Sequence, residues 1–249
     1  MIYRLPENIG NMLQERQQSI LDAVIREYIV SARPIASRDL ARILDIGVSP
    51  ATIRSELLKL DDQGYLEQPY TSAGRTPTDK GYRFFVDYLL IDTELSGREE
   101  ASLAEAFRVS GPEAFVKELS RTVARISGTF AAAGLADDGV FYEAGFAELL
   151  DEPEFEDAAH ARDFGRLADT MDEGIRGLVR DFENNYDGDA AVHMFIGSEN
   201  PWRPARDYTM TIACWEHARG FKGFVAMLGP TRTDYKKHKA VARRIKNTL

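Results

Sequence analysis

Ser49-Pro50-Ala51-Thr52-Ile53-Arg54-Ser55-Glu56-Leu57, followed by Tyr70-Thr71-Ser72-Ala73-Gly74-Arg75-Thr76-Pro77-Thr78-Asp79-Lys80-Gly81-Tyr82-Arg83, decides how the first third of the chain is read. Ser49 is placed to cap a helix, Pro50 suits its first position, and Gly64 is placed to end it. At 3.6 residues per turn Ile53, Leu57 and Leu60 share one stripe, while Ala51, Thr52, Ser55 and Lys59 point to the opposite side. A helix reading base edges must lie close in the major groove, and short polar side chains near its N-terminus permit that approach. Arg54, on the flank, suits a guanine edge or a phosphate, and Leu58 falls near the outer face, where packing beneath the following loop is its other option.

The surroundings predict a helix-turn-helix with a wing. From Asn11 to Ala32, Ile20, Leu21, Val24, Ile25, Tyr28 and Ile29 recur at helical spacing. Pro34 then interrupts, Ser37 is placed to cap a short helix running to Leu44, and residues 45–48 form the turn before Ser49. Tyr65-Leu66-Glu67-Gln68 reads as a strand, Pro69 to Pro77 as a loop, and Thr78 as the cap of a helix carrying Tyr82, Phe85, Val86 and Leu89 inward. The loop combines the hydroxyls of Thr71 and Ser72, the flexible backbone of Gly74 and the cation Arg75, all suited to sugar-phosphate contact, and Lys80 and Arg83 add two cations on the next helix. The hydroxyls of Ser37, Ser49 and Thr78 are read first as caps, each contributing about 1 kcal/mol, and second as DNA contacts.

Bulk electrostatics do not supply this reading. The chain has 249 residues, a net charge of −9 and a hydrophobic content of 44%. Residues 1–93 hold 11 Lys and Arg against 13 Asp and Glu, and the remainder 20 against 27, so any nucleic-acid contact has to come from local placement of charge. The lone cysteine, Cys214, sits in an apolar run and reads as a buried small hydrophobe. The N-terminus lacks an apolar core, and no run approaches the roughly 20 apolar residues of a membrane span, so a soluble, cytoplasmic protein is expected. His160, His193, His217 and His238 lack metal-ligand spacing, and Gly197-Ser198-Glu199-Asn200 lacks the glycine pattern and base of a nucleophile turn. A non-enzymatic protein without cofactor is expected.

Polar residues from Asp92 to Gly97 mark a boundary, giving domains 1–93 and 94–249. Beyond it a long helix begins at Ser110-Gly111-Pro112, with Phe115, Leu119, Val123, Ile126 and Phe130 on one stripe. Strands are predicted over 130–136, 140–147, 191–197, 208–216 and 221–228, a helix over 161–184, and a final helix after Arg232. Turns such as Arg219-Gly220 make the sheet mainly antiparallel, and the class α+β. Gly229-Pro230-Thr231-Arg232 either holds an anion at a helix start or is a plain cap with a surface arginine, and the cluster Arg232, Lys236, Lys237, Lys239, Arg243, Arg244 and Lys246 reads as a solvated basic face.

The chain resembles the heat-inducible transcription repressor family, HrcA. The resemblance is dense over residues 13–90, in Glu15-Arg16-Gln17, Ser49 to Arg54, Gly64-Tyr65-Leu66, and Thr71 to Arg75 through Gly81-Tyr82-Arg83. It resumes at Gly145-Phe146, Glu152-Pro153-Glu154-Phe155, Ile196 to Asn200 and Leu228 to Tyr235. It implies a winged-helix N-terminal domain, a GAF-like C-terminal domain, a homodimer, an inverted-repeat operator upstream of chaperone genes, and activity coupled to the GroEL chaperonin. Ser55 stands where the family usually has Asn, Tyr70 where it has His, and Thr76 where it has an aliphatic residue. Only Asp137-Asp138-Gly139 joins two strand candidates where relatives carry further sheet and an inserted dimerisation segment. Any dimer contact is therefore expected on the remaining sheet, the long helix from Phe115, or the helix leading out of the wing. The competing expectation is a small-molecule-responsive regulator with a ligand pocket in the C-terminal domain.

Overall fold

The structure, a computed structural model, describes residues 13–44, 49–136, 139–185 and 192–247, with residues 181–185 described by their backbone alone. The turn expected over 45–48 and the pair Asp137-Asp138 lie outside the described residues. The chain divides into two compact units, Met1–Leu89 and Leu90–Leu249.

In the first unit α1 (Glu15–Ser31), α2 (Ser37–Ile43) and α3 (Pro50–Asp62) precede a hairpin of β1 (Leu66–Glu67) and β2 (Thr76–Pro77), then α4 (Asp79–Phe84). The apolar stripe of α1 is buried at Ile20, Leu21, Val24 and Ile25, and faces Ile53, Leu57 and Leu60 of α3 in the same core. Ser49 caps α3 as expected, its Oγ accepting from the Thr52 amide at 3.2 Å. The other end closes through Gly64, whose φ of 75° lets its amide reach Asp61 O at 2.8 Å while the Tyr65 amide reaches Leu60 O at 2.9 Å. Thr78 caps α4, accepting from the Gly81 amide at 3.1 Å. Helical winding continues as a wider π-helical turn over Phe85–Leu89, so that Phe84 is buried beside Tyr82 and Phe85, while Val86 and Leu89 are only half-buried.

Two expectations change here. Thr76 and Pro77 are not loop but a strand paired with β1, Glu67 opposite Thr76 and Leu66 opposite Pro77. Ser37 does not cap α2: Ala36 holds the capping position and Ser37 is the first helical residue. The reason is next door, where Ile35 is extended and exchanges two backbone hydrogen bonds of 2.9 Å with Arg75, so the chain enters the helix one residue earlier than expected.

The second unit is built on an antiparallel sheet ordered β4-β3-β7-β6-β5, formed by β3 (Phe130–Leu135), β4 (Phe141–Ala144), β5 (Val192–Ile196), β6 (Tyr208–Glu216) and β7 (Lys222–Pro230). Side chains alternate across it. Ala131, Ala133, Ala213, Val225 and Met227 join Phe115, Leu119, Val123, Val241 and Ile245 of α6 (Pro112–Ser127) and α10 (Tyr235–Lys246). Phe130, Ala132, Met210, Ile212 and Phe224 join Phe164, Leu167, Met171 and Ile175 of α8 (Ala158–Ala168) and α9 (Met171–Asn185) on the opposite face. Both faces are covered, so the strands read as near-continuous apolar runs.

Here too the structure departs from expectation. The polar stretch at 92–97 opens a helix, α5 (Gly97–Phe107), because Ser96 and Glu99 form a reciprocal cap, with the Ser96 amide 2.8 Å from Glu99 Oε2. Gly128, at φ 67°, ends α6 and hands Phe130 to β3. Gly145, at φ 89°, cuts the strand expected over 140–147 and starts α7 (Phe146–Leu150). The helix expected over 161–184 is two helices. Cys214 is half-buried against the core. Arg176 of α9 donates to Leu135 O at 2.6 Å and Val140 O at 2.9 Å, bracing both sides of the short connection between β3 and β4.

Candidate nucleic-acid interface

The outward face of α3 is available. Ala51, Arg54, Ser55, Leu58 and Lys59 are exposed and Thr52 is half-exposed, while Ile53, Leu57 and Leu60 are buried beneath them. The cap orders this face at its start, since Ser49 Oγ and Thr52 Oγ1 are 3.0 Å apart. Arg54 makes no ion pair among the described residues, so its guanidinium projects from the helix flank uncommitted. Lys59 differs: its Nζ is 3.0 Å from Glu56 Oε1, and Glu56 is itself buried.

The hairpin loop stands beside this face. The Ala73 amide donates to Tyr70 O at 3.0 Å, and Ser72 has φ 73°, so residues 70–73 form a tight turn with a left-handed residue in third place. Serine carries strain in that conformation, on the order of 1 kcal/mol. Thr71 and Ser72 are exposed at the tip, next to Tyr70 at 66% exposure. Gln68 Nε2 donates to Ala73 O at 3.0 Å and ties the two arms together.

Between the helix flank and the hairpin lies an open groove of about 460 Å³, to which Ser37, Arg54, Ser72, Gly74 and Arg75 all contribute, with Leu58 and Gln68. Five residues expected from sequence to contact DNA therefore meet in one place. Leu58 is 47% exposed and lines this groove instead of packing beneath the loop. Ser49, Ala51, Thr52 and Lys59 continue along α3, and Lys80 and Arg83 lie on α4.

Two of these residues have structural duties that the sequence did not reveal. A Cβ at Gly74 would lie 2.4 Å from the backbone carbon and oxygen of Ile35, so this glycine serves close packing, not flexibility. Arg75 is only 11% exposed in its side chain, with Nε 2.9 Å from Asp61 Oδ2. That contact is an ion pair by distance, since the N–H is not aimed at the carboxylate. Asp61 was overlooked, although an acidic residue in the last turn of a helix opposes the helix dipole and so calls for a cation partner. Lys80 donates to Gln63 O at 2.7 Å with its ammonium 4.3 Å from the Tyr65 ring centre, and Arg83 pairs with Asp87 at 3.3 Å. Burial, and then the neighbouring Tyr88, push the Tyr65 hydroxyl above its ordinary pKa.

In the second unit the basic face expected at the C-terminus is largely neutralised internally. Lys237 pairs with Glu99 at 2.5 Å, Arg244 with Glu100 at 2.5 Å, and Lys239 and Arg243 with Asp92 at 2.7 and 2.5 Å. Arg232 is neither an anion site nor a surface cap: it is buried, forked onto Glu154 at 2.6 and 2.8 Å and also paired with Glu152. Among the described residues, no cluster of His, Cys, Asp and Glu could hold a metal ion, and no helix is long and apolar enough to cross a membrane.

Comparison with known proteins gives the class. A family model described as the HrcA protein C-terminal domain matches residues 89–238. The chain belongs to the HrcA family. The heat-inducible transcription repressor HrcA of Pelotomaculum thermopropionicum is 43% identical over 111 residues, which cover 45% of this chain and 30% of that protein. The protein of the same name from Alkaliphilus metalliredigens is 59% identical over 78 residues, covering 31% and 23%. The matched stretch thus spans about a quarter to a third of these relatives' length. A solved structure described as a hypothetical protein at 2.2 Å resolution shares the fold, with a TM-score of 0.69, 16% identity, and coverage of 96% of this chain and 100% of that one.

Proposed function

We propose that the chain is a sequence-specific, DNA-binding transcriptional repressor of the heat-inducible type. On this reading the first unit is a winged helix-turn-helix: α2 and α3 are its two helices, α3 reads the major groove, and the hairpin from β1 to β2 is the wing. The observation that carries it is the outer face of α3, where Ala51, Arg54 and Ser55 are exposed and Thr52 half-exposed, with the hairpin alongside. The names of the relatives support the repressor role.

The second unit is GAF-like and acts in dimerisation and regulation. Two copies related by a two-fold axis would place their α3 helices on successive turns of an inverted repeat, and occupation of promoter DNA would block transcription in the bacterial cytoplasm. Chaperonin coupling enters as part of the same reading: adding GroEL raises operator occupancy.

The test is selection of bound duplexes from a random pool by the full chain, followed by in vitro transcription from a promoter carrying the selected sequence. Enrichment of an inverted repeat and dose-dependent repression are expected. Recovery of no common sequence would refute the reading.

A further inference from the structure

Resting on the DNA-binding reading above, we propose that Arg75 is a positioning residue whose pairing with Asp61 locks the hairpin at a fixed angle to α3, and that it does not itself grip a phosphate. Three observations converge on the base of the hairpin. The Arg75 side chain is 11% exposed and lies 2.9 Å from Asp61 in the last turn of α3. Its backbone is clamped to Ile35 by two hydrogen bonds of 2.9 Å. Its neighbour Gly74 sits against the Ile35 backbone with no room for a side chain. The hairpin is therefore held to the segment before α2 by its backbone, and Arg75 adds a side-chain tie to α3 beside the buried Leu66 of β1.

Charge balance favours the same assignment. Paired with Asp61, Arg75 brings no net positive charge to DNA, and turning outward would leave a carboxylate facing the phosphates. A residue that neutralises no phosphate releases no counterion, so its loss leaves the salt dependence of binding unchanged. A residue that sets the angle between two reading elements instead alters binding to every sequence.

Arg75→Ala and Asp61→Ala in the full chain separate the possibilities. Asp61→Ala removes an acid from the unfavourable end of a helix and inserts a better helix former, so weaker binding in that variant is not loss of α3. The readouts are affinity for the duplex selected from a random pool, over a salt series, and hydrogen exchange at the Ile35 and Arg75 amides. The lock predicts that each variant loses about tenfold in affinity with an unchanged salt slope, and that both amides exchange faster in both variants. It is overturned if Asp61→Ala binds as tightly as the parent or more tightly while Arg75→Ala flattens the slope by about one. It is also overturned if the two amides keep their protection in both variants. Faster exchange with no duplex bound by the parent chain supports the lock and sinks the DNA-binding reading instead.

Discussion

His238 of α10 sits with its Nδ1 3.2 Å from Thr211 Oγ1 on β6, a side-chain contact that joins the last helix to the middle of the sheet. Its Nε2 is 3.0 Å from Thr233 Oγ1 and 3.3 Å from Thr129 Oγ1, so both ring nitrogens are satisfied by hydroxyls in a fully buried setting. Hydroxyls serve either imidazole tautomer, and burial favours the neutral ring.

That burial pushes the His238 pKa down to about 4, against a weaker upward pull from Asp234. Between about pH 6.5 and 4 the unfolded chain binds a proton here that the folded chain refuses, so stability falls as pH is lowered through that window. The contribution is complete above pH 6.5 and amounts to about 3 kcal/mol. Urea unfolding of the second unit at pH 5 and pH 7 should show about 2 kcal/mol of this loss, the rest falling between pH 5 and 4, and His238→Gln should flatten it. An unchanged pH slope in the variant would contradict the assignment.

Arg232→Met should destabilise the second unit by about 2 kcal/mol, because Glu152 and Glu154 would lose their shared cation while remaining partly shielded from water. Arg232→Lys should recover little of it, since an ammonium cannot reproduce the two-pronged contact with Glu154. Thermal unfolding compares the three. Equal stability of Met and Arg at this position would show the cluster to be energetically neutral.

The two glycines near the hairpin should respond differently. Gly74→Ala forces a methyl into the Ile35 backbone, with an expected cost of about 1–3 kcal/mol and loss of DNA binding. Gly64→Ala meets no atom within 4 Å and strains only its own φ of 75°, costing about 1 kcal/mol and leaving the binding surface in place. Paired measurements of unfolding and duplex affinity check this. Intact binding in Gly74→Ala would mean that the hairpin position does not matter.

These two glycines also mark what was legible in the sequence. Gly64 was read correctly because helix termination is local, fixed by Leu60, Asp61 and the glycine itself. Gly74 looked like a flexible loop residue because its true constraint, the backbone of Ile35, is far away in sequence. The pairing of Arg75 was not legible for the same reason, its partner Asp61 being on another element. Ser49 and Thr78 were readable as caps, whereas Ser37 lost that role to a backbone bridge that no local pattern announces. In the second unit, β6 was legible end to end from its apolar run, while α5 was missed although the Ser96 and Glu99 spacing advertised its start.

Oligomeric state bears on the operator. The two-fold reading predicts a dimer in gel filtration with light scattering, formed without the segment that the short connection between β3 and β4 leaves out. A strict monomer at high concentration, both alone and on inverted-repeat DNA, would contradict it.

The claim that the outer face of α3 reads bases is tested most directly through Arg54. Affinities of the parent chain and Arg54→Ala are measured on a selected half-site and on every single-base change within it. The variant should lose discrimination of about 1–3 kcal/mol at one base pair and keep it at the others. A discrimination profile identical to the parent's, with or without weaker overall binding, would contradict the account.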